Sequence, residues 1–220
     1  SGVEKTFDVK IVRAIINIPS LKWELKGDKK DIAYIQLYQF SEKASADFRN
    51  TVIQISKAGA KKIVLDLRDN PGGYLEVSKD IAGLFLKKGQ VVAIEDFKNK
   101  EKQIIYKTEG NAIFLEFPII VLINGGSASA SEILAAALRD NRGIKLVGVK
   151  SYGKGSVQEL ENLSGNSSLK VTVANWLTPN GSHITGIGLE PDVKVEITEE
   201  QLKNGQDPQL DKAIEIVQSI

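Results

Sequence analysis

A chain of 220 residues with 42% hydrophobic content is long enough to bury a full core, which excludes a disordered polypeptide. Its 29 basic and 28 acidic residues leave a net charge of +1, which argues against nucleic-acid partners and against a polybasic membrane patch. The lack of cysteine excludes disulfides and thiolate metal sites, and a lone histidine, His183, excludes a histidine-rich one, so we expect no metal or cofactor.

The ends and apolar segments of the chain bear on membrane attachment. No apolar run reaches about 18 residues, so we expect no membrane span in this chain. The sequence begins "SGVEKT" without a methionine or a visible signal peptide, which is typical of a processed or fragmentary chain and leaves a missing targeting sequence open. The sequence also leaves open whether the chain forms a homo-oligomer.

Strand and helix patterns alternate through the first part of the chain. The segments "DVKIVRAIINI" and "DIAYIQLYQF" have the alternating apolar residues of two strands. A helical spacing follows in "SADFRNTVIQISKAG", which ends at a glycine. The unbroken apolar run in "KKIVLDLRDNPGG" predicts a strand buried on both faces, and "YLEVSKDIAGLFLKKG" predicts the next helix.

The same alternation continues to the end of the chain. The later predicted elements are a hairpin ("QVVAIEDF" and "KQIIYKT"), a buried strand ("FPIIVLIN"), a helix ("SEILAAALRD"), four strands ("GIKLVGV", "SVQEL", "SLKVTVANWLT" and "PDVKVEI") and an amphipathic helix ("DPQLDKAIEIVQSI"). Together they predict an α/β fold with a mixed, largely parallel sheet and flanking helices. We expect one domain over 1–220, with 1–40 as a small β appendage, 41–195 as the core and 196–220 as a C-terminal helix.

Three serines at alternate positions, Ser127, Ser129 and Ser131, lie between a predicted buried strand and a predicted helix. Open α/β sheets bind ligands at this end of their strands, and the free N–H groups of a helix N-terminus attract an oxyanion. The same stretch fits a capping box from Ser129 to Glu132. Capping serines are common, so the local pattern alone favours a helix cap over a nucleophile.

A serine nucleophile also needs a base. His183 lies in the turn-like stretch "TPNGSHITG", where we expect it to be exposed, so a Ser-His-Asp triad is disfavoured. A lysine can act as the base near pH 7 when burial brings its pKa about 3 below the ordinary value of about 10.4. Lys154, between Gly153 and Gly155, is the candidate, because residues without side chains let the backbone pack closely around an amine.

The lysine segment also approaches the phosphate-binding pattern G-x-x-x-x-G-K-[ST], through Gly148, Gly153 and Lys154. However, Gly155 replaces the magnesium-binding hydroxyl residue, and the following "SVQEL" has a strand pattern where a phosphate loop opens a helix. A nucleotide site is therefore disfavoured.

Five motifs in the same order resemble the catalytic core of the carboxyl-terminal processing proteases, tail-specific serine peptidases with a Ser-Lys dyad. They lie within 7–217 and read "IVLDLRDNPGGYL", "VLINGGSASASEILAAALRDN", "LVGVKSYGKGSVQE", "TPNGSHITGIGLEPDV" and "DPQLDKAIEI". The resemblance implies a protease core related to the ClpP and crotonase folds. It also implies a protein or peptide substrate with a small or apolar C-terminus, in the cell envelope or periplasm.

The resemblance assigns roles to individual residues. It makes Ser129 the nucleophile, Lys154 the base and Gln158 the residue that orients the lysine; in a strand, Lys154 and Gln158 would share a face. The implied oxyanion donors are the amides of Ala130 and of Gly73, with Gly73 preferred over Gly72. The implied supporting acid is the Asp140 carboxylate. Asp66 and Arg68 are predicted to be structural.

The family usually carries a peptide-binding PDZ domain ahead of this core, and the present sequence has none. We expect a serine endopeptidase that cleaves proteins near the C-terminus through an acyl-enzyme. One alternative is a catalytically silent polypeptide- or ligand-binding module of the same fold. A crotonase-like acyl-CoA enzyme is another, with similarity at the level of the fold only.

Overall fold

The computed structural model describes residues 9–10, 19–97, 103–165 and 167–220. Strands and helices alternate through these ranges. The strands are β1 Leu21–Lys26, β2 Ile32–Leu37, β3 Lys62–Asp66, β4 Val91–Phe97, β5 Gln103–Lys107, β6 Ile119–Ile123, β7 Lys145–Gly148, β8 Ser156–Asn162, β9 Ser168–Leu177 and β10 Val193–Lys194. The helices are α1 Ala44–Lys57, α2 Leu75–Phe85, α3 Ala130–Arg142, α4 Glu199–Lys203 and α5 Pro208–Ser219.

The main sheet has six strands in the order β1-β2-β3-β6-β7-β10. Only the β1–β2 pair is antiparallel, and the other neighbours are parallel. The central strands β3 and β6 are apolar on both faces because helices cover both sides of the sheet. Helices α1, α2 and α3 pack on one face, and α5 packs on the other through Ala213 and Val217. The prediction of a largely parallel α/β sheet with flanking helices is confirmed.

The N-terminal part of the sheet differs from the sequence expectation. Strand β2 is not part of an appendage, because it lies between β1 and β3 inside the main sheet, with Ile32 and Ala33 fully buried. Strand β1, with its alternating Leu21, Trp23 and Leu25, was not predicted. The strand expected in "DVKIVRAIINI" lies mostly outside the described residues.

A second sheet of four antiparallel strands, in the order β5-β4-β9-β8, stands beside the main one. Its individual strands were predicted, but not their separation from the parallel sheet. Strand β9 joins the two regions, since Ala174 and Trp176 are buried at its end while its first five residues are exposed. Strand β8 forms the outer edge.

Three loops follow neighbouring parallel strands and therefore meet at one edge of the main sheet. They are the turn 67–73 after β3, the loop 124–129 after β6 and the segment 149–155 after β7. These loops contain Ser129, Lys154, Gly72 and Gly73, whereas Ala130 and Asp140 lie on α3 and Gln158 lies on β8. Within the described ranges, no helix combines the length and the apolar character needed to cross a bilayer.

Candidate active site

The three alternating serines have different environments. Ser127 and Ser131 are fully buried, and their hydroxyls donate to the backbone oxygens of Leu67 (2.8 Å) and Asn70 (2.9 Å). Ser129 is half-buried at the N-cap of α3, and its hydroxyl approaches the Glu132 amide as in a capping box without forming a hydrogen bond. Of the three, Ser129 alone therefore has a hydroxyl available for reaction.

The backbone of Ser129 adopts an uncommon conformation, with φ 57° and ψ −116°. Such a conformation costs a residue with a side chain about 1–3 kcal/mol, and it persists where surrounding contacts impose it. Here the Ser129 amide donates to Glu132 Oε2 at 2.9 Å, and the Ser129 carbonyl accepts from the Ile133 amide at 3.0 Å. The strained residue therefore lies at the junction of a loop and a helix, with its backbone fixed on both sides.

Glu132 links the loop 124–129, which ends at Ser129, to the segment 149–155, which contains Lys154. Its carboxylate is 1% exposed and accepts hydrogen bonds from the Ser129 amide, the Ser151 hydroxyl (2.6 Å) and the Gly153 and Lys154 amides (2.7 and 2.9 Å). A single oxygen, Oε2, binds the amides of both Ser129 and Lys154, each at 2.9 Å. These two nitrogens are thus no farther apart than twice that distance.

Close backbone packing also holds the lysine segment. A Cβ atom on Gly155 would overlap the Thr185 backbone nitrogen, and one on Gly153 would lie 3.0 Å from the Gly188 nitrogen. Both glycines are therefore required for the approach of the segment 184–188. The Lys154 side chain itself is exposed and forms no hydrogen bond or ion pair with the part of the chain that the structure describes. The structure brings the backbones of Ser129 and Lys154 together and leaves the amine apart from the hydroxyl.

Gln158 lies on β8 and is exposed. Because β8 begins at Ser156, Lys154 precedes the strand, and the expected sharing of one strand face does not hold for this pair. No hydrogen bond joins the two side chains among the described residues.

The turn 67–73 packs closely against Ser129. A Cβ atom on Gly72 would lie 2.8 Å from the Ser129 Cβ and 2.9 Å from the Ala130 nitrogen. The Gly72 amide is already engaged, because it donates to Asn70 Oδ1 at 2.9 Å. The Gly73 and Ala130 amides, in contrast, have no acceptor within the described ranges. This geometry favours Gly73 over Gly72 as the partner of Ala130 in an oxyanion hole.

Asn70 organises this turn and was missed in the sequence, where it had the character of an ordinary turn residue. It is fully buried, and its Nδ2 donates to the Leu37 carbonyl at 2.7 Å. Its own carbonyl accepts from the Ala128 amide at 3.0 Å and from the Ser131 hydroxyl. Asn70 thereby joins the turn 67–73 to the loop 124–129 and to the start of α3.

A network of charged residues and one tyrosine holds the start of the turn 67–73. Tyr34 donates to Asp66 Oδ2 at 2.6 Å, and Arg68 contacts Asp66 (2.7 Å) and Asp207 (2.8 Å), the N-cap of α5. Burial alone would lower the pKa of Arg68, but hydrogen bonds to Asp207 and Asp66 outweigh it and raise that pKa. Burial likewise acts to raise the pKa of Asp207, while hydrogen bonds from Arg68 and the Leu210 amide hold it below its usual value. Asp66 and Arg68 thus have the structural role expected of them.

Asp140 lies eleven positions after Ser129 on α3, which is about 16 Å along a helix. It accepts a hydrogen bond from the Asn180 amide at 3.1 Å, which holds the turn before His183. The prediction that His183 is exposed is confirmed. Within the described residues, no group of three His, Cys, Asp or Glu side chains could hold a metal ion.

Comparisons with known proteins place this chain in a family. The family model "Peptidase family S41" matches residues 31–195. The carboxy-terminal-processing protease of Bartonella bacilliformis is 44% identical over 199 residues, which cover 89% of this chain and 45% of that protein. A probable CtpA-like serine protease of Staphylococcus aureus is 39% identical over 200 residues, or 90% of this chain and 39% of that one.

Solved structures agree with the sequence matches. The photosystem II D1 C-terminal processing protease superposes with a TM-score of 0.73 at 30% identity, over 82% of this chain and 49% of that one. A putative S41 protease from Bacteroides fragilis, at 18% identity, gives a TM-score of 0.77 over 94% of this chain and 59% of that one, which shows the fold alone. The chain spans less than half the length of the curated relatives described above. Because the family model matches most of the chain, this protein belongs to peptidase family S41.

Proposed function

We propose that this chain, as a single domain over 1–220, is the core of a serine endopeptidase that cleaves protein substrates near the C-terminus with a Ser-Lys dyad. One observation carries the proposal: the Glu132 carboxylate binds the amides of Ser129 and Lys154 through the same oxygen. Membership of a peptidase family supplies the class of reaction. The hydroxyls of Ser127 and Ser131 already donate hydrogen bonds, whereas that of Ser129 is available, which supports Ser129 as the nucleophile.

In this mechanism the Lys154 amine takes the proton of Ser129 as Oγ attacks the peptide carbonyl carbon. The negative oxygen then accepts hydrogen bonds from the Ala130 and Gly73 amides, each worth about 3 kcal/mol of barrier. Lys154 returns the proton to the leaving amine when the C–N bond breaks. The same amine then deprotonates a water molecule that attacks the acyl carbon, and it returns this proton to Ser129 Oγ as the ester C–O bond breaks; no step uses a metal or cofactor.

The dyad requires the Lys154 amine to move into contact with Ser129 Oγ, since it is exposed here. The Lys154 backbone is already beside Ser129, so rotation about the bonds of the flexible side chain supplies this movement. Catalytic hydrogen bonds often tighten only when substrate binds. Gln158 would orient the amine in that state, and Asp140 supports the fold at a distance.

The names of the relatives support processing at a carboxyl terminus. From the resemblance of the sequence motifs we further propose substrates with a small or apolar C-terminus, and the cell envelope or periplasm as the place of action. A homo-oligomer is compatible with this assignment.

Covalent labelling tests the proposal. A fluorophosphonate probe, followed by mass spectrometry, should modify Ser129, and Ser129→Ala should abolish labelling. Lys154→Ala should slow labelling by about 100-fold or more, the usual contribution of a general base. His183→Ala is the control and should label at the wild-type rate, because the histidine is exposed.

Two results would contradict the mechanism. If the probe does not modify Ser129 at any pH, the chain is the silent binding module of the same fold. If Lys154→Ala labels normally and His183→Ala does not, the dyad assignment is wrong. Thioester turnover that survives Lys154→Ala would instead favour a crotonase-like enzyme.

A further inference from the structure

We propose that the outer edge of β8 binds the substrate backbone as an added β-strand. The inference rests on the proposed peptidase function, since it gives the substrate its path to Ser129. Strand β8 pairs with β9 on one side only. Its last five residues, 158–162, are exposed, and no residue in the described ranges pairs with its other side. A free edge of this kind presents a row of unpaired N–H and C=O groups to an extended peptide.

The other sheet edges differ from β8 in charge or in length. Natural proteins guard free edges with charged residues, lysine above all, with proline, with bulges or with a short strand, because unguarded edges pair with other chains. In the main sheet, β1 carries Lys22 and Lys26, and β10 has only two residues. The opposite edge strand of the second sheet, β5, ends in Lys107. Strand β8 reads SVQELEN over seven residues, without lysine or proline; its register with β9 shifts between Val157 and Gln158, and the exposed part beyond that shift carries acidic charge only.

The position of β8 matches its proposed role. The strand begins two residues after Lys154, whose amide shares a carboxylate oxygen with the Ser129 amide. At about 3.3 Å per residue, the start of the edge is roughly 7 Å from the lysine. A peptide that pairs along β8 therefore runs toward the nucleophile, and the residues beyond the paired segment reach Ser129.

The side chains of β8 indicate which peptides fit. Glu159 and Glu161 lie on one face, opposite Val171 and Leu169 of β9, and neither forms an ion pair within the described ranges. Opposite charges directly across a strand pair favour binding by up to about fivefold per pair. The occupant is therefore a polypeptide with basic residues at two positions that are two apart, facing the two glutamates.

A backbone-methylation scan tests the strand pairing. The probe is a fluorescein-labelled ten-residue peptide of alanine and valine with lysines two positions apart, and its affinity for the Ser129→Ala protein is measured by anisotropy. N-methylation at every second position should weaken binding by about tenfold, because each such methyl removes a hydrogen bond at the edge. The intervening positions should be unaffected. A response without this period of two, or no saturable binding, would overturn the proposal.

Charge reversal locates the binding strand. In the Ser129→Ala background, Glu159→Lys with Glu161→Lys should lower affinity for the lysine peptide and raise it for the same peptide with glutamates. Glu24→Lys is the matched control, an exposed acid on the edge strand β1, and should leave both affinities unchanged. An equal response in the control would show that general charge, and not β8, sets the preference.

The outcomes separate this inference from the peptidase assignment. Binding that shows the period of two and responds to charge reversal, without probe modification of Ser129, would support the edge site and contradict the peptidase assignment. Probe modification of Ser129 without the period of two would contradict the edge site alone. If peptides fail to bind and sedimentation shows a dimer that the double charge reversal dissociates, a second copy occupies the edge and the substrate assignment is overturned.

Discussion

The nucleophile side and the lysine side of the site are built in different ways. On the nucleophile side, Ser127, Ser131 and Asn70 are buried, and each side chain is committed to a backbone partner. On the lysine side, the Lys154 and Gln158 side chains are exposed and lack partners in the part of the chain that the structure describes. The fold thus fixes Ser129 and the proposed oxyanion donors by packing, and fixes the proposed base, Lys154, only through its backbone.

Glu132 is the point where the two sides meet, because its carboxylate binds amides from both. A buried carboxylate is stable when hydrogen bonds replace the lost water, and here the donors are three amides and one hydroxyl. The contrast between the two sides therefore depends on one side chain.

The largest effect is expected from Glu132→Ala, which breaks this link. The substitution leaves the amides of Ser129, Gly153 and Lys154 without their acceptor, and unpaired buried donors cost about 1–3 kcal/mol each before water enters. We expect the free energy of unfolding in urea to fall by about 3 kcal/mol, and Ser129 labelling to fall by about 100-fold.

The control for this change is Glu199→Ala, at a side chain that is 91% exposed. Surface substitutions of this kind stay within about 0.5 kcal/mol of the wild type. If the two variants unfold and label alike, Glu132 does not couple the two sides.

A smaller effect is expected from Gly72→Ala, which perturbs the nucleophile side alone. Gly72 has φ 100°, and an added Cβ would lie 2.7 Å from the Ala128 carbonyl oxygen and 2.8 Å from the Ser129 Cβ. Overpacking of this kind costs about 1–3 kcal/mol and should displace the nucleophile, so we expect labelling to slow by about tenfold. Unfolding midpoints and labelling rates measure the two consequences.

Gly59→Ala is the matched comparison, because Gly59 also has a positive φ, 77°, but open space around its Cβ position. It carries the backbone strain without the collision and should label at the wild-type rate. Equal labelling in both variants would mean that contact between the turn and Ser129 does not position the nucleophile.

Much of the main sheet was predictable because its strands are apolar on both faces and its helices have clear periodicity. The runs in β3 and β6 and the alanine-rich α3 are examples. The sequence could not show that there are two sheets. Residues of β8 and of the start of β9 are mostly exposed, and their pattern does not indicate which strand each one pairs with. The position of β2 inside the main sheet depends on its pairing with β3, and a local sequence pattern does not encode that pairing.

The sequence motifs proposed Ser129 and Lys154 as one site, and the structure brings their backbones together through Glu132. Glu132 was recognised only as a cap, because an acid in the first helical turn is common for that reason alone. Its donors Ser151, Gly153 and Lys154 are 19 to 22 positions away, and only the fold brings them to it. Whether the amine reaches the hydroxyl depends on side-chain conformation, which a motif does not specify.

The smallest effect is expected from Asp207→Asn, which weakens the network behind the turn 67–73. Because the pKa of Asp207 is lower in the folded protein, its charge stabilises the fold above the unfolded pKa of about 3.9. This stabilisation disappears as pH falls through the folded pKa. Asparagine keeps the N-cap of α5 and removes only the charge. We expect Asp207→Asn to lower the free energy of unfolding by about 1 kcal/mol at pH 6, since water screens the partly exposed carboxylate.

The difference between Asp207→Asn and the wild type should shrink as pH falls from 6 through the folded pKa of Asp207, because both side chains are then neutral. Urea unfolding across this range measures the difference, and a constant gap would contradict the charge assignment. Hydrogen exchange at pH 6 then separates the two sides of the site. Amides in 67–73 should lose protection because Arg68 has lost one of its two carboxylates. Amides of Gly153 and Lys154 should keep theirs, because Glu132 holds them independently of Asp207.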